Sequence, residues 1–241
     1  MNFLLHRHLG ARDLGSGVAG IGAMLPDLWR MADRRVRPRE MQPSPALAPP
    51  LDALLSGIAH HLATDRWFHA DEVFLEGEQE ATLLLRDASI AARRTILFAH
   101  VLWELCLDGA LVRREGLDPI VSAVRVGLED ARVSLAESAA LHHFSHVART
   151  HDERSAFERR FDRICTELTR GPWIDGYRTG HGVAARIQGV RVSLGLPPMD
   201  VGDEARLARV AETLLEKAVS VVDRILLVSF HFVRGSAGSG R

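Results

Sequence analysis

The stretch LDALLSGIAHHLATDRWFHAD, residues 51–71, decides how the chain folds. Leu51, Leu54, Leu55, Ile58 and Leu62 recur every three or four residues, the spacing of an apolar stripe along one side of a helix. His61, Asp65 and His69 follow one another at intervals of four, so on a helix they share a face. At about 100° per residue, Asp65 and His69 fall inside the stripe set by Leu51 and Ile58 and are expected to point inward. A second stretch, ILFAHVLWELCLD at 96–108, repeats the arrangement: His100, Glu104 and Asp108 recur every fourth residue in a segment that is apolar on all sides. Such a helix is expected to be buried. A carboxylate buried there without compensation would be costly or would stay protonated, so Glu104 calls for a cation, a histidine proton or a metal ion beside it.

Outward from these two segments the helical period persists, and no alternating strands joined by a hairpin turn are found. Helices are expected over Gly15–Arg34, Leu51–Asp71, Ala88–Glu115, Pro119–His143, Asp152–Thr169, Asp175–Leu194 and Asp203–Val233, the last long enough to break near Glu216. The expected fold is therefore all-α, a single domain of about seven helices over residues 1–234. Residues 38–50 contain Pro38, Pro43, Pro45, Pro49 and Pro50 and predict a stiff exposed loop. Gly195-Leu196-Pro197-Pro198 marks a second break, and Gly235 to Arg241 reads as a disordered tail.

Composition narrows the function. With 30 basic and 31 acidic residues the chain lacks the basic excess of a dedicated nucleic-acid binder. Its 46% hydrophobic content excludes disorder over most of its length. Cys106 and Cys165 cannot make a disulfide framework or a zinc ribbon and read as small packing residues in a reducing compartment. The opening MNFLLHRHLGARDL lacks the features of a secretory leader, and the most apolar stretch, Ala218 to Val233, is interrupted by Asp223, Arg224 and His231. A cytoplasmic protein without a transmembrane segment is expected.

Twelve histidines against one tyrosine make histidine placement the central question. Two helices presenting His, Asp and Glu at spacings of four suggest facing walls of one metal site, as in bundle metalloproteins. Ion pairs between packed helices, or histidines capped by carbonyls, are the alternative; recurrence on two apolar helices favours the metal. His6 and His8 diverge if their segment is helical, so only one of them would join the site. Asp27, after Pro26, is either a ligand or a helix-terminus carboxylate. Candidate ligands are thus Asp27, His61, Asp65, His69, His100 and Glu104, with His6 as a further ligand or a base. Mixed imidazole and carboxylate donors suit Mn²⁺, Fe²⁺ or Zn²⁺.

Other signals carry less. Gly15-Ser16-Gly17-Val18-Ala19-Gly20 matches GxGxxG without the strand that a dinucleotide site needs, so close helix packing is expected and no nucleotide cofactor. His142-His143-Phe144-Ser145-His146, with His151 nearby, reads as solvated polar residues at a helix end. The charge-rich Asp152–Arg170 reads as a solvated amphipathic face.

The opening MNFLLHRHL resembles the MNFLAHLHLA start of acyl carrier protein phosphodiesterases, metal-dependent hydrolases of the HD-like helical superfamily. Leu25-Pro26-Asp27-Leu28 resembles that family's small helix ending in an aspartate. Gly57-Ile58-x-x-His61-x-x-x-Asp65 is similar to its G-I-x-x-H-R-x-I-D element, and His100-Val101-Leu102-Trp103-Glu104 falls where it has D-V-x-x-D-H. Trp173-Ile174-x-x-Tyr177, then Gly182-Val183 and Gly189-Val190, resemble its W-L-x-x-Y…G-I…G-M stretch. The chain departs from the pattern at Leu62, His69 and Glu104-Leu105, which exchange ligand types or remove the family's arginine and histidine. The resemblance implies an HD-like helical bundle and a phosphodiesterase using Mn²⁺. It further implies holo-acyl carrier protein as partner and substrate, cleaved to release 4′-phosphopantetheine. Asp65 or His6 would orient the attacking water, and Arg30 and Arg66 would contact phosphate. The Leu25-Pro26-Asp27 motif and the His61-x-x-x-Asp65-x-x-x-His69 helix are also similar to zinc-dependent phospholipase C-like proteins. A non-catalytic helical scaffold with a degenerate site is the contrasting expectation.

Overall fold

The computed structural model describes residues 3–39, 48–90, 95–144 and 150–236. Among these the chain is all-helical, with ten α-helices and no strand. They are α1 (Phe3–Leu14), α2 (Gly17–Ala32), α3 (Pro49–Phe68), α4 (Glu72–Asp87), α5 (Thr95–Glu115), α6 (Leu117–Ala139), α7 (His151–Arg170), α8 (Pro172–Asp175), α9 (Gly180–Ser193) and α10 (Val201–Ser236). No described helix is long and apolar enough to cross a membrane.

Ten helices replace the expected seven because three segments were not anticipated: α1, α4 and the short α8. The opening segment is helical as α1. The 72–87 segment forms α4: Asp71 caps it by accepting a hydrogen bond from the Val73 amide, and Phe74, Gly77, Ala81 and Leu85 make its buried stripe. This same cap ends α3 at Phe68, three residues before the expected Asp71. The short α8 and a 3₁₀ turn over Gly176–Arg178 precede α9, which starts at Gly180 rather than Asp175. Pro49 and Pro50 open α3, a place where the missing N–H costs nothing. Residues 40–47 of the proline-rich segment lie outside the described residues. α10 runs unbroken past Glu216 and takes in Gly235 and Ser236; the remainder of the expected tail, 237–241, is likewise outside.

By internal contacts the chain forms two compact units, each discontinuous in sequence. One is built chiefly of Phe3–Trp67 and Asp118–Gly171. In it, α1 and α2 pack through small residues: a side chain at Gly20 would meet Ala11 and the Arg7 carbonyl, and one at Gly10 would meet Ala23. The GxGxxG run is thus a turn and a packing face, with Gly15 at φ +64° and Ser16 capping α2. α7 buries Phe157, Phe161 and Leu168 and exposes its charges, as its amphipathic pattern predicts.

The same unit corrects the expectation of solvated histidines at 142–143. A π turn over Ala140–Phe144 carries both inward. His142 packs on Trp29, with ring centroids 5.6 Å apart, and His143 on Phe157 at 4.1 Å. Burial holds both below the ordinary histidine pKa, Asp33 partly opposing this for His143. Both are thus favoured neutral in the folded state, whereas an unfolded histidine takes up a proton near pH ~6.5. The unfolded chain therefore binds more protons below that pH, and stability falls as pH drops from about 6.5 toward the folded-state values. Urea midpoints at pH 7.5 and pH 5 measure this loss. In His142→Phe the decline is expected to be shallower; an equal decline would clear His142 of the effect.

The other unit is built chiefly of Phe68–Leu117 and Pro172–Val228. Here α5 is buried on nearly all sides, through Leu102, Trp103, Leu105, Cys106, Leu107, Ala110 and Leu111. Cys106 behaves as the expected packing residue: burial pushes its thiol pKa well up. A side chain at Gly77 would overlap the Trp103 indole, so α4 approaches α5 closely only because residue 77 is glycine.

Candidate metal centres

In the first unit three helices meet around Ala23. A side chain at Gly57 on α3 would run into the Ala19 carbonyl and the Ala23 amide of α2, and one at Gly22 into the Leu54 carbonyl. The α2 and α3 backbones are therefore in contact. One turn beyond Gly57 comes His61. Pro26 withdraws the amide that would otherwise bond the Gly22 carbonyl and loosens that turn of α2. Beside it, the Ala23 carbonyl lies 2.8 Å from His61 Nδ1. A carbonyl only accepts, so Nδ1 carries the proton and donates. In the neutral ring this leaves Nε2 with its lone pair, oriented by the backbone.

His6, from α1, completes the approach. It is fully buried, its ring centroid 4.0 Å from that of His61. Its Nε2 stands 3.9 Å from Asp65 Oδ1, one turn along α3 from His61. One donor atom from each of His6, His61 and Asp65 lies within 4.8 Å of the others. The Asp65 side chain is 40% exposed, so it forms the rim and not the buried stripe expected from the helical wheel. Of the two histidines in the opening segment, His6 joins this group; His8 is half-buried elsewhere on the turn.

A second group stands in the other unit. His69, His100 and Glu104 also bring donor atoms within 4.8 Å of one another. His69 lies one residue past the end of α3 and is exposed, so it does not continue the His61–Asp65 face inward as expected. His100 and Glu104 are one turn apart on α5, with Nε2 and Oε1 3.5 Å apart. On the other side of the ring, His100 Nδ1 faces Glu78 Oε2 of α4 at 3.6 Å. The His69 and His100 rings stack at 4.9 Å, and Phe74 packs edge-on against both. Burial works against a charged His100, but Glu104 and then Glu78 outweigh it and hold its pKa up. Burial would likewise raise the Glu104 carboxyl; positive charge around it, that of His100 included, holds it down instead.

The remaining sequence candidates stand apart from these groups. Asp27 belongs to neither. It is within α2 and not at a helix terminus, and its Oδ2 is buried without a hydrogen-bond partner among the described residues. Arg30 and Arg66 are exposed. Asp108 is buried but joins neither group.

Compared with known proteins, the chain matches no family, no curated sequence and no solved structure.

Two partners escaped the sequence reading. Glu78 sits on the unanticipated α4; the spacing Phe74, Glu78, Ala81, Leu85 would have shown a carboxylate beside an apolar stripe. His60, next to His61, is buried against Asp13, with Nε2 and Oδ2 3.0 Å apart, and its Nδ1 is 3.3 Å from Thr64 Oγ1. Burial keeps its pKa low even so, with Asp13 opposing. It is a structural histidine, tying α3 to α1 beside the first group.

Proposed function

We propose that the chain is a metal-dependent phosphoester hydrolase whose ion is held by His6, His61 and Asp65. The observation that carries this is the hydrogen bond from His61 Nδ1 to the Ala23 carbonyl. Metal-binding histidines characteristically donate their second ring nitrogen in this way, which fixes both tautomer and orientation. Two imidazoles and one carboxylate suit Mn²⁺, Fe²⁺ or Zn²⁺ and leave coordination positions open. Mn²⁺ and an HD-like relationship are what the resemblance to acyl carrier protein phosphodiesterases adds.

A bound ion would supply Lewis acidity toward water and toward phosphate oxygens. The protein's own groups divide the remaining work by exposure. His6 is sealed in the core and serves as a ligand. Asp65 reaches solvent and can orient a water with a carboxylate oxygen not engaged by the ion. Arg66, next to Asp65 in sequence, and Arg30 are the exposed cations proposed to meet the substrate phosphate. The proposed substrate is a phosphodiester, holo-acyl carrier protein in the first instance, with 4′-phosphopantetheine as product.

Metal content by elemental mass spectrometry, on untagged protein purified without chelator, tests this together with turnover of bis(4-nitrophenyl) phosphate and holo-acyl carrier protein. Stoichiometric Mn, Fe or Zn and metal-dependent turnover are expected, with the turnover and the equivalent held by this group lost in His61→Ala. Protein that neither holds nor takes up metal would leave a helical scaffold instead of a hydrolase.

A further inference from the structure

The His69–His100–Glu104 group shares no residue with the site just proposed, and its surroundings are those of a ligand set. His100 is gripped from two sides: Glu104 Oε1 faces Nε2 at 3.5 Å, and Glu78 Oε2 faces Nδ1 at 3.6 Å. Glu104 is 7% exposed at its side chain, whereas His69 opens to solvent. The two rings lie nearly parallel, 27° between their planes, braced by the edge of Phe74.

We propose that His69, His100 and Glu104 form a second divalent transition-metal site, loaded independently of the first, with Glu78 as the outer carboxylate that orients His100. The chemistry selects a borderline ion such as Zn²⁺ or Co²⁺, since two imidazoles and one carboxylate are its preferred donors. Glu78 Oε2 lies 3.6 Å from Nδ1 and favours the proton on that nitrogen, which leaves Nε2 for the ion alongside Glu104. The exposed side, at His69, leaves room for water to complete the coordination. Binding would tie the 69–71 connection to α5 within this unit, where the His69 and His100 rings already stack.

A simple ion pair is the competing account, in which His100 stays protonated between Glu78 and Glu104 and takes no metal. Titration of metal-free protein with Co²⁺, read by visible absorption and by equilibrium dialysis, separates the two. Wild type is expected to bind two equivalents, and His69→Ala or His100→Ala one. His69→Ala is the safer variant for folding, because the side chain is exposed. Glu78→Gln is expected to keep two equivalents but to weaken one by about 10- to 100-fold, the usual effect of losing an outer partner. A single equivalent in wild type, unchanged in His69→Ala and lost in His61→Ala, would overturn the second site and spare the first. Conversely, a single equivalent lost in His69→Ala but kept in His61→Ala would uphold this site and remove the metal from the proposed hydrolase centre. Loss of both equivalents in His69→Ala would overturn independent loading.

Discussion

Gly57→Ala is expected to destabilise the protein by about 3 kcal/mol or more, at the upper end of what an overpacked interior costs. A methyl at 57 would occupy the space of the Ala19 carbonyl, with the Ala23 amide 2.8 Å away. These are backbone atoms of a neighbouring helix, so no rotamer change relieves the overlap and α2 and α3 must separate. Separation would also pull His61 off the Ala23 carbonyl, so the metal site is lost together with stability. Gly189→Ala is the matched control: α9 is helical there and nothing lies within 4 Å of a new side chain. It is expected to add about 0.5–1 kcal/mol, the ordinary gain of alanine over glycine inside a helix. Urea denaturation of both variants measures the contrast. A Gly57→Ala protein as stable as wild type would mean that the helices do not meet at that point.

That crossing also shows what the sequence could and could not convey. The all-α class was legible because the stripe Leu51, Leu54, Leu55, Ile58 is a local property of the chain, needing no knowledge of partners. So was the pairing of His61 with Asp65, since residues four apart on a helix are neighbours in any tertiary context. Which partner each pair takes depends on tertiary packing. His6 reaches His61 because Gly10, Gly20, Gly22 and Gly57 let three helices approach, and a wheel of one helix carries no record of that. His69 shows the limit of extrapolating a period: the Asp71 cap restarts the chain as α4, and the face that the wheel extends to residue 69 stops at Phe68. The buried His142 and His143 were missed for a different reason. They read as solvated because a helix end was expected there, whereas a π turn over Ala140–Phe144 carries the chain on and turns both inward.

Asp65→Asn is expected to lower phosphodiester turnover by roughly 100-fold or more, the range associated with losing a positioned acid–base group, while leaving the melting temperature of metal-free protein nearly unchanged. Exposure is what separates these two effects. At 40% exposed, the Asp65 side chain stands at the rim, and its amide replacement fills the same volume with no buried charge to compensate. Any ion pairing with His6 across 3.9 Å contributes little to folding when one partner is this solvated. The loss therefore falls on metal affinity and on water orientation, not on the fold. His61→Ala must behave differently. Its ring is buried and bonded to the Ala23 carbonyl, so removing it empties core volume and deletes a buried hydrogen bond, lowering stability by about 2–4 kcal/mol even without metal. Measuring metal content, turnover and the metal-free melting temperature for both variants thus distinguishes a working centre from a packing cluster. If Asp65→Asn retained full turnover, Asp65 would have no part in the chemistry.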